Sequence, residues 1–256
     1  MSTKVLPVTG LKVGQVSPAV LVCGDPARAT KIAAHLNEAV LLNERREYRL
    51  YQGTFQGLTV TVCSHGVGAP GAAIAFEELI AAGAKQIIRV GTCGGLQPDV
   101  QSGDLVIVTA AVQNTGYGRE TVPPGYPAAA DAELLLALRD RATHYNHPHH
   151  TGIVITRDNF YAGVTTVHTP DYQLLSAANV LAVEMECAAL FIVGSLRGVA
   201  TAAILAVDGN VLSGGESMDT YQPNRQVVAA AVEVEIQVAL EALQRSVVPP
   251  SSLENP

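Results

Sequence analysis

The stretch of sequence that decides the fold covers residues 58–90 and reads LTVTVCSHGVGAPGAAIAFEELIAAGAKQIIRV. Its β-branched start, 58–63, predicts a buried strand, and the alanine-rich run 71–82 predicts a helix closed by Gly83. The apolar run 86–90 then predicts a second strand. A strand, a helix and a strand of these lengths indicate a βαβ unit with two parallel strands.

The same alternation extends over the rest of the chain. Further strands are predicted at 19–23, 104–108, 152–155 and 201–207, and further helices at 26–36, 131–145, 184–197 and 223–245. Residues 39–63 differ, because two or three strands follow one another there with turns at Gly53 and Gly57. The pattern predicts an α/β fold with a mixed, largely parallel central sheet and an antiparallel extension.

Length and composition limit the domain organisation and the partners. The 256 residues are 48% hydrophobic and contain no linker-like segment, so we expect one domain over 1–245 and a disordered tail over 246–256. The net charge of −7 argues against a broad nucleic-acid-binding surface, which is usually basic. The N-terminus has no signal-peptide pattern, no apolar run is long enough for a membrane span, and the cysteines are scattered, so we expect a cytoplasmic protein.

Glycine-rich turns follow three of the predicted strands, at Gly24, at 66–71 and at 91–95. Such turns offer backbone N–H groups to anions in parallel α/β sheets, although they also serve plain strand-to-helix geometry. Arg89 favours anion binding, because it interrupts an otherwise apolar strand shortly before Thr92. A structural ion pair is the alternative for this arginine.

Two further arginines and three carboxylates are candidates for a site. For Arg28 and for Arg46 taken singly, a structural ion pair is the better explanation. Glu184 and Glu186 open a predicted helix two positions apart, so one can cap the helix while the other faces a site, although first helical turns are often acidic. Asp208 follows a buried strand, which suits a catalytic carboxylate or a turn residue.

A histidine-rich segment, 144–150, has the composition of a metal-binding tract. It lacks helical spacing and neighbouring carboxylates, and Pro148 marks a loop, so we expect a solvated loop and no metal ion there. His65 lies in the second glycine-rich turn, where we expect it to make a structural hydrogen bond.

Five motifs occur in the order and spacing of a known family. They are Gly24-Asp-Pro-x-Arg28, Arg46-Glu47-Tyr48, Arg89-Val-Gly-Thr-Cys-Gly-Gly95, Asp158-Asn-Phe-Tyr161 and Glu184-Met-Glu186. Together they resemble the nucleoside phosphorylase I family, whose members include hexameric purine nucleoside phosphorylases, uridine phosphorylases and methylthioadenosine phosphorylases. The resemblance covers residues from about 4 to about 245.

The resemblance implies a three-layer α/β/α domain, a trimer of dimers and pentosyltransferase activity that uses inorganic phosphate as co-substrate and no cofactor. It places phosphate against Gly24, Arg28, Arg89 and Thr92, and against Arg46 donated by the neighbouring subunit. It places ribose against Met185 and Glu186, and the base against Phe160, Asp208 and Asn210. Asp208 and Arg89 would be the catalytic residues, and Glu47 matches a position that holds a monovalent cation in some members.

The base and the ribose 5′ position depart from the family's pattern. Family members usually carry an N-terminal histidine that reaches the 5′-hydroxyl, and residues 5–9 contain none. Uridine phosphorylases read uracil with a glutamine and an arginine, where Val164 and Thr166 stand here. Purine members carry a Ser-Asp pair, and a gapless match places Asp208 on the serine.

Several functions therefore stay open. Phosphorolysis of purine nucleosides is slightly favoured because of Asp208, and uridine phosphorolysis is the alternative. A nucleosidase of methylthioadenosine type or a catalytically weak nucleoside-binding protein is a further alternative. The three arginines Arg28, Arg46 and Arg89 favour phosphate over water as the attacking group.

Overall fold

The computed structural model describes residues 4–161, 163–212 and 225–247. In chain order its elements are β1 (Ala19–Cys23), α1 (Pro26–Ala33), β2 (Asn37–Arg45), β3 (Tyr48–Phe55), β4 (Leu58–Ser64), α2 (Ala69–Ala82), β5 (Gln86–Gly95), β6 (Leu105–Asn114), α3 (Gly116–Thr121), β7 (Ala128–Ala129), α4 (Ala132–His144), β8 (His149–Arg157), α5 (Tyr172–Ala177), β9 (Ala182–Glu184), α6 (Cys187–Arg197), β10 (Ala200–Asn210) and α7 (Gln226–Val247).

All ten of these strands belong to one mixed sheet. Strands β4, β1, β5 and β10 lie side by side and parallel, as the βαβ pattern predicts. The antiparallel strands β2, β3 and β4 form the extension predicted for residues 39–63. Strands β5, β10, β6, β8 and β9 pair in a closed circuit, which the sequence pattern did not predict.

Two hydrophobic cores cover opposite faces of the sheet. Successive residues of β1 alternate between them, since Val20 and Val22 contact one core and Leu21 the other. The first core packs α2 and α6 on the sheet through side chains that include Phe76 and Phe191. The second packs α1, α4 and α7 through Ile32, Leu138 and Leu240. The three layers of the α/β/α prediction are therefore present.

The predicted turn at 91–95 is wrong, because this segment continues β5 and pairs with β9 and β10. Its glycines serve close packing between strands. A Cβ on Gly94 would lie 2.9 Å from Val211, and one on Gly95 would lie 2.8 Å from the carbonyl oxygen of Val100. Glycine at these positions therefore permits an extended strand to pass between two neighbours.

Other element ends also differ from the predictions. Glu184 ends strand β9, and α6 begins only at Cys187, so the helix predicted from residue 184 starts three residues later. Helix α7 includes residues 246 and 247 of the predicted tail, and the rest of that tail lies outside the described residues. None of the helices in the described ranges is long and apolar enough to cross a membrane.

Replacing Gly83 at the end of α2 by alanine tests the packing of the βαβ unit. A Cβ there would lie 2.6 Å from the carbonyl oxygen of Val16, and the φ of 134° disfavours L-residues. We expect Gly83→Ala to lower the free energy of unfolding by about 2 kcal/mol or more in chemical denaturation.

The matched control is Gly57→Ala. Gly57 also has a positive φ, 85°, but no described atom lies within 4 Å of an added Cβ. A smaller loss is expected in this variant, and equal losses at the two positions would contradict the role of the Val16 contact.

Candidate active site

A cleft of about 730 Å³ opens beside the second half of β5. Its wall combines residues from the ends of strands with the segment that leads into α6. Of the residues predicted from the sequence, it brings together Gly24, Arg28, Arg89, Thr92, Phe160, Met185, Glu186 and Asp208. Arg46 and Asn210 do not line it.

One end of the cleft is suited to an anion. Gly24 follows β1, and a Cβ there would lie 3.2 Å from the carbonyl oxygen of Gly66. Gly91 is equally constrained, since its Cβ would lie 2.7 Å from the guanidinium carbon of Arg89. The lack of side chains leaves the backbone open to a ligand, and Arg28 and Thr92 add a guanidinium and a hydroxyl group.

Arg89 is buried and forms an ion pair with Glu186. The sequence pattern allowed such a structural ion pair as the alternative to anion binding. Nη2 of Arg89 donates to Oε2 of Glu186 at 2.5 Å, and its Nε lies 3.6 Å from Oε2 of Glu184. Because Arg89 also lines the cleft, its charge acts on the anion end while its position is fixed by Glu186.

His65 supports this arrangement as a neutral ring. Burial, with the charge of Arg89 as the second cause, holds the pKa of His65 well below its usual value. Its Nδ1 lies 2.9 Å from the carbonyl oxygen of Gly66 and its Nε2 lies 3.1 Å from Nη1 of Arg89. The neutral ring thus donates to Gly66 and accepts from Arg89, in agreement with the structural role predicted for it.

Glu184 and Glu186 have different roles, as the sequence suggested. Both carboxylate oxygens of Glu184 accept from the backbone N–H of Cys187, at 3.0 and 2.9 Å, at the start of α6. Thr156 on β8 also donates its hydroxyl to Glu184. Glu184 therefore supports the helix start, although it lies in a strand and not in the helix.

Glu186 faces the cleft and is tethered on both oxygens. Oε1 accepts from the backbone N–H of Gly68 at 2.6 Å, and Oε2 accepts from Arg89. Burial raises the pKa of Glu186, the charge of Arg89 opposes this, and nearby Glu184 adds to the rise. A carboxylate placed in this way can accept hydrogen bonds from ligand hydroxyl groups while Arg89 stabilises its charge.

The other end of the cleft is aromatic. Phe160 and Tyr161 are each 54% exposed, and their rings meet edge to face with centroids 5.1 Å apart. Asp208 is buried and lies at a bulge inside β10, whereas the sequence placed it after the strand. A bulge re-aims a side chain, and here the side chain of Asp208 lines the cleft. Arg225 donates from Nη2 to the backbone carbonyl of Asp208.

Asn210 does not fit the base-binding role predicted for it. Its Nδ2 donates to the carbonyl oxygens of Gln97 at 2.7 Å and Val100 at 3.2 Å, and its Oδ1 accepts from the backbone N–H of Leu212. The amide thus ties the end of β10 to the loop after β5, a contact that no spacing in the sequence indicates.

Arg157 is a cleft residue that the sequence analysis missed. It ends β8, and its Nη1 donates to the hydroxyl of Tyr172 at 2.5 Å. Its buried Nε has no hydrogen-bond partner among the described residues. The signal that singled out Arg89, a charge at the end of an apolar strand, was also present at Arg157.

Arg46 lies outside the cleft of its own chain. It is exposed at the turn between β2 and β3, with a φ of 58°. The preceding strand, β2, is largely exposed and carries Val40 and Leu41, which are 56% and 51% exposed. The position of Arg46 is therefore compatible with reaching another subunit.

The histidine-rich segment is more ordered than predicted. His150 lies in β8 and its Nε2 is 2.9 Å from Oδ2 of Asp104, so the segment does have a neighbouring carboxylate. His147 bonds the carbonyl oxygen of Gly103. Within the described ranges no group of three or more His, Cys, Asp or Glu residues could hold a metal ion.

Glu47 packs beside Gly66, since a Cβ added to Gly66 would lie 2.9 Å from Cγ of Glu47.

Comparison with known proteins finds relatives that match most of this chain. The sequence model of the phosphorylase superfamily matches residues 18–244. The chain is 41% identical to a uridine phosphorylase of Treponema pallidum, over 88% of this chain and 90% of the relative. It is 38% identical to a purine nucleoside phosphorylase of Plasmodium vivax, over 90% and 92% of the two chains.

Solved structures agree with these relatives. The purine nucleoside phosphorylase of Toxoplasma gondii, in complex with immucillin-H, has a TM-score of 0.87 and 33% identity, covering 95% of this chain and 96% of that one. A uridine phosphorylase of Vibrio fischeri has a TM-score of 0.86 and 33% identity, covering 95% and 99%.

Removing Arg89 tests how the two glutamates are held. Arg89→Met leaves the buried charges of Glu184 and Glu186 without their cation, so we expect the free energy of unfolding at neutral pH to fall by about 3 kcal/mol. The pKa of Glu186 is already raised, and losing the arginine raises it further. Glu186 then takes up a proton as the pH falls, so the loss should shrink in mildly acidic buffer.

Arg197→Met is the matched control, because it removes an exposed ion pair in which Nε of Arg197 lies 2.8 Å from Oε2 of Glu77. Little change in stability is expected from it. Adding Glu186→Gln to Arg89→Met should recover part of the loss in urea denaturation. A loss that is independent of pH and of Glu186 would show that Arg89 stabilises the fold by packing alone.

Proposed function

This chain belongs to the phosphorylase superfamily, and on that premise we propose that it prefers purine nucleosides and that its cleft divides into phosphate, ribose and base subsites. It is a nucleoside phosphorylase, a pentosyltransferase that moves the pentosyl group of a nucleoside from the base to inorganic phosphate. The observation that carries the proposal is that Arg28, Arg89 and Thr92 share one cleft with Glu186 and Asp208.

Phosphate would occupy the anion end. Phosphate is a weak nucleophile, so the enzyme gains most by holding it beneath the anomeric carbon while the glycosidic bond loosens. Gly24, Arg28 and Thr92 supply the contacts in this chain, with Arg89 behind them. The same positive charge stabilises the developing oxocarbenium ion indirectly, because it keeps the phosphate dianion close to it.

Ribose would lie between the two ends. Glu186 faces this part of the cleft as a carboxylate whose charge is balanced by Arg89, so it can accept from the ribose 2′- and 3′-hydroxyls. Met185 lines the same part and offers an apolar surface beneath the sugar. The pair of residues fixes the sugar's orientation relative to phosphate.

A purine base would stack on Phe160 and face Asp208. Asp208 is buried in the cleft wall, where a carboxyl group can donate a proton or a hydrogen bond to the departing ring nitrogen. This is the reason for preferring a purine.

Uridine is the second candidate, and Arg157 is the observation that favours it. A guanidinium at the base end can donate to a uracil carbonyl oxygen, and its Nε has no partner among the described residues. The Treponema pallidum relative, which is 41% identical, is a uridine phosphorylase.

The oligomer is proposed to be a trimer of dimers in which Arg46 completes the phosphate subsite of the neighbouring subunit. Exposure of Arg46, and of Val40 and Leu41 on strand β2, supports this arrangement. We also place the enzyme in the cytoplasm, because its four cysteines are free and buried. No cofactor is required for the reaction, and Glu47 is proposed as a ligand of a monovalent cation at the dimer interface.

The proposal is tested by a panel of nucleosides with and without inorganic phosphate. The panel contains inosine, adenosine, guanosine, uridine and 5′-methylthioadenosine, and release of the free base is measured. We expect release that depends on phosphate and is fastest with a purine nucleoside. Base release that is unchanged without phosphate would indicate a nucleosidase, and binding without turnover would indicate a nucleoside-binding protein.

Two substitutions separate the base specificities. Asp208→Asn keeps the shape of the side chain but removes the acid, so we expect kcat/KM for inosine to fall by about 100-fold while uridine is less affected. Arg157→Met should show the opposite order if uracil binds through the guanidinium. Equal losses for the two nucleosides in both variants would contradict the assignment.

Complementation tests whether Arg46 acts across the dimer. Arg46→Ala and Glu186→Gln should each be poorly active alone, whereas a dimer of one copy of each contains one intact site and should recover about half of the wild-type activity. Co-expression with two affinity tags isolates the mixed species. Arg45→Ala is the control, since Arg45 bonds the carbonyl oxygen of Pro7. A mixed dimer without recovered activity would show that Arg46 serves its own subunit.

A further inference from the structure

A buried carboxyl group lies directly behind the anion end of the cleft. Glu235 on α7 is fully buried, and neither of its carboxylate oxygens has a hydrogen-bond partner among the described residues. It does not line the cleft. The backbone N–H of Gly91 lies close enough to stabilise the charged form of Glu235, although its geometry falls short of a hydrogen bond.

The charges that face Glu235 are those of the anion end. Arg28 of α1 is the nearest in effect, followed by Arg89 of β5 and Lys31 of α1. Lys31 is already paired with Glu233, which lies two residues before Glu235 on α7, and Nζ of Lys31 is 2.7 Å from Oε1 of Glu233. Arg28 and Gly91 therefore face Glu235 on one side and the cleft on the other.

The elements that pack against α7 carry further ionisable groups. The thiols of Cys23 on β1 and Cys93 on β5 are close to Glu235, and burial raises the pKa of each, so both stay neutral. Asp208 of β10 acts on the same Cys93 thiol. Arg141 of α4 has its partner further along α7, at Glu241.

We propose that Glu235 is a positioning residue for phosphate: its carboxyl group is neutral when phosphate binds, and it weakens phosphate binding when it loses its proton. The proposal rests on the use of phosphate proposed above. An ionised Glu235 would compete with phosphate for the charge of Arg28 and for the N–H of Gly91. A protonated Glu235 leaves both to the ligand, and the proton it releases at higher pH goes to solvent.

The ionisation falls in a range where the enzyme can be assayed. Burial raises the pKa of Glu235 to about 8, and Arg28 opposes the rise. Since a bound phosphate brings a like charge close to Glu235, it must raise this pKa further. By linkage, phosphate then binds more weakly above the pKa of the free enzyme, by about tenfold for each pKa unit of that rise.

The test is the KM for inorganic phosphate across the alkaline range, in wild type and in Glu235→Gln. Glutamine is neutral at every pH, so the ratio of wild-type KM to variant KM should rise when the pH passes through about 8. If bound phosphate raises the pKa of Glu235 by about one unit, we expect this ratio to rise by about fivefold to tenfold. Ionisation of phosphate itself is common to both proteins and cancels in the ratio. The KM for nucleoside should have the same pH dependence in both.

Glu233→Gln is the matched control on the same helix, because Glu233 is about half exposed and paired with Lys31 and His35. Its phosphate KM should follow the wild-type profile. A constant ratio for Glu235→Gln, or a parallel change in the nucleoside KM, would overturn the proposal. Absence of phosphate-dependent turnover in the wild type at any pH would instead overturn the proposed function.

A thermal unfolding series gives a second measurement that needs no turnover. Because folding raises the pKa of Glu235 from 4.5 to about 8, wild type should lose stability between these two pH values, where the unfolded chain has released the proton and the folded chain still holds it, and the loss should level off above about 8. Glu235→Gln should lose less stability than wild type over that range. Equal losses between about pH 4.5 and 8 would show that the pKa of Glu235 is not raised in the folded state and would also overturn the proposal.

Discussion

The buried ion pair between Arg89 and Glu186 is the interaction on which the rest of the site depends. It joins the central strand β5 to the start of α6, and Glu186 continues the connection to the backbone N–H of Gly68 at the start of α2. A buried charge pair is costly unless neighbouring groups compensate it, and here Glu184 lies 3.6 Å from Nε of Arg89 while His65 accepts from its Nη1, although that Nε has no hydrogen-bond partner among the described residues. The cleft is therefore built around a fixed charge, which would lie between the proposed phosphate and ribose subsites.

This arrangement gives the proposed chemistry a physical basis. Glu186 must remain ionised to bind sugar hydroxyls, and burial alone would favour its neutral form. Arg89 favours the charged form of Glu186, so in the proposed reaction one arginine would serve both substrates. The role proposed for Glu235 is of the same kind, because a neutral acid behind the cleft would leave the positive charge of Arg28 to phosphate.

The sequence predicted the periodic parts of the fold and the charges that interrupt apolar strands. Strands β1 and β4, helix α2 and the position of Arg89 are of this kind. The pairing of Arg89 with Glu186 could not be predicted, because it joins residues 97 positions apart and depends on packing. Strand β9 was missed because three residues carry no periodicity. Glu235 has no signal in the sequence either, since an isolated glutamate in an amphipathic helix resembles a solvent-facing one.

The attacking group proposed for this cleft is phosphate. Phosphorus NMR of the enzyme with a purine nucleoside and inorganic phosphate tests this proposal most directly, because it observes the phosphorylated product. We expect a new phosphate ester signal, from pentose 1-phosphate, that grows in proportion to the free base. Release of the base with free pentose and an unchanged phosphate signal would contradict it.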